Sequence, residues 1–238
     1  MNDSGSCNYI CSIISKINFK NSMEMKLSRI LYLIPLLLSL QVTAQETMQA
    51  PIPLELMFGN NRYGAQLIVN RNLPESERLS FFSVSYVEVG YNNDLSTLEF
   101  INSSQLAFDV YKGFGVTSGL NANRWGMSPT IGLRYIYASQ KLVCVFIPDF
   151  IFTNDKNVAM FGLVEYRPKL TEKVRLYSRL QGLYNHNMAL GVHERSFLQL
   201  RLGVSIGRYD MGLGSNFDYY GPSKVFVDNY GIFLKANM

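Results

Sequence analysis

Residues 196–207, SFLQLRLGVSIG, alternate between apolar and polar side chains. Leu198, Leu200 and Leu202 fall at every second position, and the residues between them include Arg201. Because successive side chains of a β-strand point to opposite faces, the pattern predicts a strand with one apolar and one polar face. Two environments fit it: the apolar face packs against a second sheet in a soluble protein, or it contacts lipid in a membrane barrel.

Similar alternation recurs along the chain after residue 45, interrupted by Gly, Asn, Asp and Pro, whereas helical periodicity never persists beyond about one turn. We predict twelve strands, with ten or fourteen as alternatives. They cover residues 52–59, 63–70, 78–90, 97–111, 114–122, 129–138, 142–152, 158–168, 174–184, 196–207, 209–219 and 226–237. The fold class is therefore all-β, an antiparallel transmembrane β-barrel over residues 52–238, preceded by a short N-terminal segment, 45–51.

The predicted connections favour the membrane barrel over the soluble alternative. Those after even-numbered strands are tight, apart from residues 71–78, whereas the other end carries longer polar loops, among them 123–128 and 185–196. Short turns at one rim and longer loops at the other are typical of bacterial outer-membrane barrels, and aromatic residues cluster at the predicted strand ends. The soluble alternative is a lipocalin-type barrel, which needs an apolar interior and a polar exterior.

Residues 23–44 have the features of a secretory signal peptide. Lys26 and Arg29 form a positive segment, and residues 30–40, ILYLIPLLLSL, form an apolar segment too short to span a bilayer. Small residues lead up to Ala44, which predicts cleavage after that residue. The chain is therefore expected to be exported by the Sec pathway.

Residues 1–22 fit no part of a signal peptide, and we interpret them as an upstream extension from a mis-called start codon. Removal of residues 1–44 leaves 18 basic and 16 acidic residues, a formal charge of +2. This near-neutral balance gives no basic patch and argues against nucleic acid as a partner. Cys144 is then the single remaining cysteine, so no internal disulfide is expected.

The C-terminal strand carries the most specific signal. Residues 225–238 alternate up to the chain end and resemble the C-terminal signal of bacterial outer-membrane β-barrels, although Met238 stands where Phe or Tyr is usual. The segments GLVEYRPKL (162–170), GLYNH (182–186) and SNFDYYGP (215–222) resemble parts of small, functionally uncharacterised outer-membrane barrel proteins. The resemblance implies the outer membrane of a Gram-negative bacterium, contact with outer-membrane lipid, and the barrel-assembly machinery as partner of the last strand. It implies no catalytic residues.

The polar faces of the strands supply the candidate functional residues, which we expect to line the lumen. These are Glu88, Glu99, Asp109, Arg134, Glu165, Arg175, Arg179, Arg201, Asp210 and Asp218, with Glu55, Asp149, Arg167 and Lys235 in the same register. The acids come mainly from the early and last strands and the arginines from strands six to ten, so one hypothesis is a transverse field that orients a small polar solute. The other is that the charges pair across the lumen into a plug.

We therefore expect a non-enzymatic barrel, either a narrow pore or binding barrel for a small polar solute, or a closed structural barrel. A surface-recognition barrel is the alternative, acting through external-loop residues Trp125, His186 and His193. A third hypothesis is an outer-membrane lipid hydrolase, since His186 and His193 lie near Ser196. The spacing contains no nucleophile elbow and no orienting carboxylate, and no metal site or cofactor is expected.

Overall fold

A computed structural model describes residues 51–74, 76–91 and 98–238. They form one closed antiparallel barrel in which every strand pairs with its sequence neighbours and the last pairs with the first. The predicted strand number of twelve is confirmed. The predicted extension and signal peptide lie outside the described residues. Within those residues, no helix combines the length and apolar character needed to cross a membrane.

The strands are, in chain order, β1 (Pro53–Gly59), β2 (Arg62–Asn72), β3 (Leu79–Gly90), β4 (Glu99–Tyr111), β5 (Phe114–Asn123), β6 (Gly126–Ala138), β7 (Leu142–Ile151), β8 (Asn157–Tyr166), β9 (Val174–Asn187), β10 (Val192–Ile206), β11 (Tyr209–Tyr220) and β12 (Val225–Asn237). The largest departures from the predicted bounds are at β6, β9 and β10. All three strands continue further toward the same end of the barrel than the sequence pattern indicated.

The two ends of the barrel differ less than predicted. We call the end with the start of β1 and the finish of β12 the terminal end, and the opposite one the loop end. Connections at the terminal end are 73–78, 112–113, 139–141, 167–173 and 207–208, and those at the loop end are 60–61, 91–98, 124–125, 152–156, 188–191 and 221–224. The expected long loop 185–196 is wrong, because its polar residues continue the β9–β10 ladder and leave only 188–191 as a turn.

Closure depends on the pairing of β1 with β12. Seven residue pairs run from Pro53 opposite Asn237 to Gly59 opposite Gly231. Beyond them, the Ile52 amide donates to the Met238 carbonyl at 2.7 Å, and the Met238 amide donates back at 2.9 Å. The sheet therefore has no free edge, which is the condition for strands to lie in hydrocarbon.

The leucines of residues 196–207 lie on the outside of the barrel. Leu202 is 59% exposed, whereas the neighbouring Arg201 is 3% exposed and points into the lumen. The same division holds on β11 and β12, where Leu213 and Ile232 lie outside. Aromatic side chains are exposed near the strand ends, among them Tyr91, Tyr111, Phe114, Tyr137, Tyr166, Tyr184, Tyr209 and Tyr219. An apolar exterior is the opposite of what a soluble barrel requires, so the lipocalin-type alternative is rejected.

Leu202→Arg should prevent stable insertion, because it places a charge on the outer face of the barrel. An arginine near the bilayer midplane costs roughly 2–4 kcal/mol. Refolding into lipid vesicles, followed by heat-modifiable migration on a gel, measures the folded fraction. Leu190→Arg is the matched control, since Leu190 is an exposed leucine in the 188–191 turn. Equal folding of the two variants would contradict the assignment of the outer face.

Candidate functional site

A buried carboxylate lies at the centre of the charged network inside the barrel. Glu55 on β1 accepts a hydrogen bond from Arg179 Nη2 on β9 at 2.8 Å and another from Arg201 Nε on β10, also at 2.8 Å. All three side chains are buried. Since β11 and β12 lie between β10 and β1 in the wall, these bonds cross the lumen as chords.

A second cluster adjoins the first at the terminal end. Lys235 Nζ lies 2.9 Å from Glu165 and 3.3 Å from Asp210, and Arg167 contacts the same two carboxylates at 2.6 and 3.1 Å. The Tyr177 hydroxyl donates to Glu165 and accepts from Lys235. Burial acts to lower the pKa of Arg167, but the two carboxylates outweigh it, so this pKa lies above its ordinary value and the guanidinium stays charged.

A third group of ion pairs lies toward the loop end. Arg62 contacts Glu88 and Asp218, each at 3.0 Å, and Arg195 contacts Asp218 at 3.3 Å. Arg195 also pairs with Glu99. Because β10 and β4 are on opposite sides of a twelve-strand ring, the Arg195–Glu99 pair spans the whole lumen.

Arg134 and Arg175 have different surroundings. Arg134 contacts Asp109 at 2.6 Å and donates to Ser80 at 2.8 Å. Arg175 donates to the Gln140 backbone carbonyl at 3.4 Å, at the rim of the terminal end, instead of facing an acid in the lumen. The charges therefore meet across the lumen in pairs, so the acids and the arginines are not left as two opposed walls with a transverse field between them.

Apolar side chains fill another part of the lumen. Phe82, Val145, Ile147 and Leu163 form a buried cluster, and Phe161 on β8 brings its ring centroid within 6.5 Å of that of Phe82 on β3. The alternation of apolar and polar residues does not predict this cluster, although its signal is present in the sequence. Residues 142–152 are apolar on both faces, and the polar face of β8 is interrupted by Phe161 and Leu163.

A cavity of about 620 Å³ occupies the lumen toward the loop end. Its walls are mainly apolar and include Phe82, Phe161, Leu183 and Phe197, while the loop-end residues Arg124, Trp125, Leu190 and Pro222 line its mouth. A volume of this size suits a ligand of a few hundred daltons.

Among the polar side chains that line this cavity, Asp149, Gln66 and Gln181 have few or no charged partners. Asp149 on β7 accepts hydrogen bonds from Gln105 Nε2 at 2.5 Å and Thr117 Oγ1 at 3.4 Å, both neutral donors. Gln66 and Gln181 also line the cavity and are buried, yet neither carboxamide has a hydrogen-bond partner among the described residues. Buried amides are normally satisfied, so these two carboxamides are polar groups available to a ligand.

The predicted external-loop residues occupy different places. Trp125 lies in the two-residue turn 124–125 and is 84% exposed, with the Arg124 guanidinium 4.9 Å from its ring. His186 and His193 are not in a loop, because they lie opposite each other in register on β9 and β10. Of the three residues, Trp125 alone therefore lies in a connection at the loop end.

His193 has a defined hydrogen-bonding geometry. Its Nδ1 lies 2.8 Å from the Gly221 carbonyl, and its Nε2 lies 3.0 Å from Ser196 Oγ. Because a carbonyl oxygen only accepts, Nδ1 carries the proton in neutral His193, and Nε2 accepts from the Ser196 hydroxyl. The pair lies near Tyr184, whose ring centroid is 5.6 Å from that of His193.

The sequence matches no protein-family model, and comparison with curated proteins found no match. Several solved structures of bacterial outer-membrane barrels are similar in fold. A NanC porin has a TM-score of 0.46 at 11% identity, over 79% of this chain and 99% of that one. A KdgM porin in complex with disordered oligogalacturonate has a TM-score of 0.44 at 10% identity, over 79% and 98%. LpxR from Salmonella typhimurium has a TM-score of 0.39 at 8% identity, over 79% and 100%. Identities this low give no information about what the present chain binds.

Glu55→Gln should destabilise the barrel, because it leaves Arg179 and Arg201 buried without their shared carboxylate. Loss of one partner from a buried ion pair costs about 3–5 kcal/mol. Urea titration of the detergent-refolded barrel measures the free energy of unfolding. Glu172→Gln is the matched control, since Glu172 is exposed in connection 167–173. A difference under about 1 kcal/mol between the two variants would mean that the Glu55 pairs contribute no more than surface ones.

Proposed function

We propose that this protein is a non-conducting outer-membrane barrel that binds a small solute from outside the cell. One observation carries the proposal: the cavity reaches the loop end with part of the apolar cluster in its walls, and beneath it ion pairs fill the lumen. A barrel of this construction receives a ligand at one end and offers it no path to the other.

The outer-membrane placement is supported by the exterior of the barrel. Leu200, Leu213 and Ile232 present apolar surface, and tyrosines lie near the strand ends. Such a belt flanked by aromatic residues is what a bilayer requires of a closed barrel. We place the terminal end in the periplasm of a Gram-negative bacterium and the loop end outside.

The choice between binding and conduction depends on the network around Glu55. A conducting pore needs a continuous polar path, whereas here Arg179 and Arg201 converge on one carboxylate from the far wall. These contacts are strong because they lie in a low-dielectric interior. Breaking them would leave three buried charges without partners. This favours a lumen that is closed by the ion pairs of Glu55, Asp109, Glu165 and Asp210 toward the terminal end, which we call the plug.

Refolded residues 45–238 should give no single-channel steps in a planar bilayer, after heat-modifiable migration shows that the barrel has folded. Glu55→Ser combined with Arg201→Ser removes one charge of each sign from the plug and should produce small, steady steps. Glu172→Ser combined with Lys173→Ser, an exposed pair in connection 167–173, should stay silent. Steady conductance by the unmodified barrel would refute the closed lumen.

Ester hydrolysis is a second candidate function, favoured by the geometry of His193 and Ser196. The Ser196 hydroxyl would attack an ester carbonyl while its proton passes to His193 Nε2. The imidazolium would then protonate the departing alkoxide, and water would hydrolyse the acyl-enzyme. The Gly221 carbonyl holds the ring in the tautomer that this step requires.

A fluorophosphonate probe tests this second candidate, because it labels an activated serine covalently. Hydrolysis at this site predicts labelling of the detergent-folded barrel that is lost in Ser196→Ala and in His193→Gln. Ser178→Ala is the control, since Ser178 merely donates to the Tyr166 carbonyl. An unlabelled barrel would reject the hydrolase and leave His193 as a structural contact between β10 and connection 221–224.

A further inference from the structure

We infer that the cavity selects a small cation, namely a primary ammonium attached to an aromatic or branched apolar body. The inference rests on the proposed binding function and names the class of its ligand. It follows from three features of the cavity: its charge, its unpartnered polar groups and its walls.

The charged residues that line the cavity are mostly acidic. Four carboxylates, those of Glu99, Asp149, Asp155 and Glu194, face two guanidiniums, those of Arg124 and Arg195. Arg195 is already engaged by Glu99 and Asp218. Low-dielectric walls strengthen the field of the remaining carboxylates, so the cavity attracts cations and repels anions.

The charge of the plug has the opposite sign. Near the terminal end, Arg134, Arg167, Arg179, Arg201 and Lys235 outnumber the carboxylates of Glu55, Asp109, Glu165 and Asp210. The imbalance therefore runs along the barrel axis, with negative charge at the cavity and positive charge beneath it. A cation that enters from the loop end is attracted into the cavity and stopped at the plug.

Asp149 is the carboxylate best placed to hold such a ligand. Its hydrogen bonds come from neutral Gln105 and Thr117, and no basic side chain pairs with it among the described residues. Gly132 on β6 leaves room for it, because a Cβ there would lie 2.1 Å from Asp149 Oδ1. An ammonium beside a buried carboxylate forms a charge-assisted hydrogen bond, about twice as strong as a neutral one.

The two unpartnered carboxamides complete the polar part of the site. Gln66 on β2 and Gln181 on β9 come from different walls, and both are nine-tenths or more buried. Their carbonyl oxygens accept N–H donors. A primary ammonium carries three such donors and can donate to a carboxylate and to amide oxygens, whereas a quaternary ammonium carries none.

The walls determine the rest of the ligand. Phe82, Phe161 and Phe197 contribute aromatic surface, and Ile147 and Leu183 contribute aliphatic surface. Aromatic faces attract cations as well as apolar groups. The preferred ligand therefore carries its charge at one end and an apolar body of moderate size at the other.

Three matched probes test the inference: 2-phenylethylamine, 2-phenylethanol and 3-phenylpropanoate. Trp125 is the single tryptophan of the chain and lines the mouth of the cavity, so its fluorescence reports occupancy, and calorimetry gives the affinity. The amine should bind about tenfold or more tightly than the alcohol, because only the ammonium adds a charge–charge attraction to Asp149, and tenfold corresponds to about 1.4 kcal/mol. The carboxylate probe should not bind.

Asp149→Asn should abolish the preference for the amine, whereas Asp228→Asn, the same change at a position outside the cavity lining, should keep it. Equal affinity of the unmodified barrel for amine and alcohol would overturn the cation assignment while leaving the binding function intact. A preference that survives Asp149→Asn in a folded barrel would also overturn it. Failure of all three probes would overturn the ligand class, and the conductance experiment would still decide separately whether the lumen is closed.

Discussion

The whole structure depends on one constraint: every backbone N–H and C=O group of a strand in hydrocarbon must be paired within the sheet. The β1–β12 seam meets it by closing the ring, and the Ile52–Met238 pair extends that seam beyond the strands. Once the ring is closed, the period of two along each strand assigns alternate side chains to lipid and to lumen. The closed sheet therefore determines which positions face the interior, whatever side chain each position carries.

A ring of twelve strands is narrow enough for side chains on opposite walls to meet. This is why Glu55 reaches both Arg179 and Arg201, and why Arg195 on β10 pairs with Glu99 on β4. Long charged side chains removed from water have to find partners, and here the far wall supplies them. The interior then behaves as a mixed core, with ion pairs contributed by many of the strands and an apolar cluster between β3, β7 and β8.

Alternation in the sequence predicts the strand number and the outward leucines because both follow from a local period. The contacts in the lumen do not follow from it, since they depend on how the strands are staggered around the ring. Arg175 and Arg179 occupy the same face of β9, yet one binds a backbone carbonyl at the rim and the other a buried carboxylate. The apolar cluster in the lumen leaves a signal in the sequence, because residues 142–152 lack a polar face. A strand with irregular alternation gives the same pattern, so the sequence alone does not predict the cluster. The polar residues around His186 and His193 indicate a loop when only the sequence is considered. Two polar strand ends that pair with each other show no alternation of apolar and polar residues, so the sequence does not predict their pairing.

The cavity and the plug are consequences of the same division of the lumen. Where inward positions on facing walls are long and charged, as at Glu55 and Arg201, the side chains reach each other and fill the lumen. Where they are shorter or apolar, as at Val84 and Ala159, they leave space. Asp149 lies in the second region, where its partners among the described residues are neutral, so none of the described basic side chains balances its charge. A carboxylate in that position holds and orients the charged end of a ligand, which the apolar walls of the cavity cannot do. The cavity is therefore selective for a ligand that carries a positive charge.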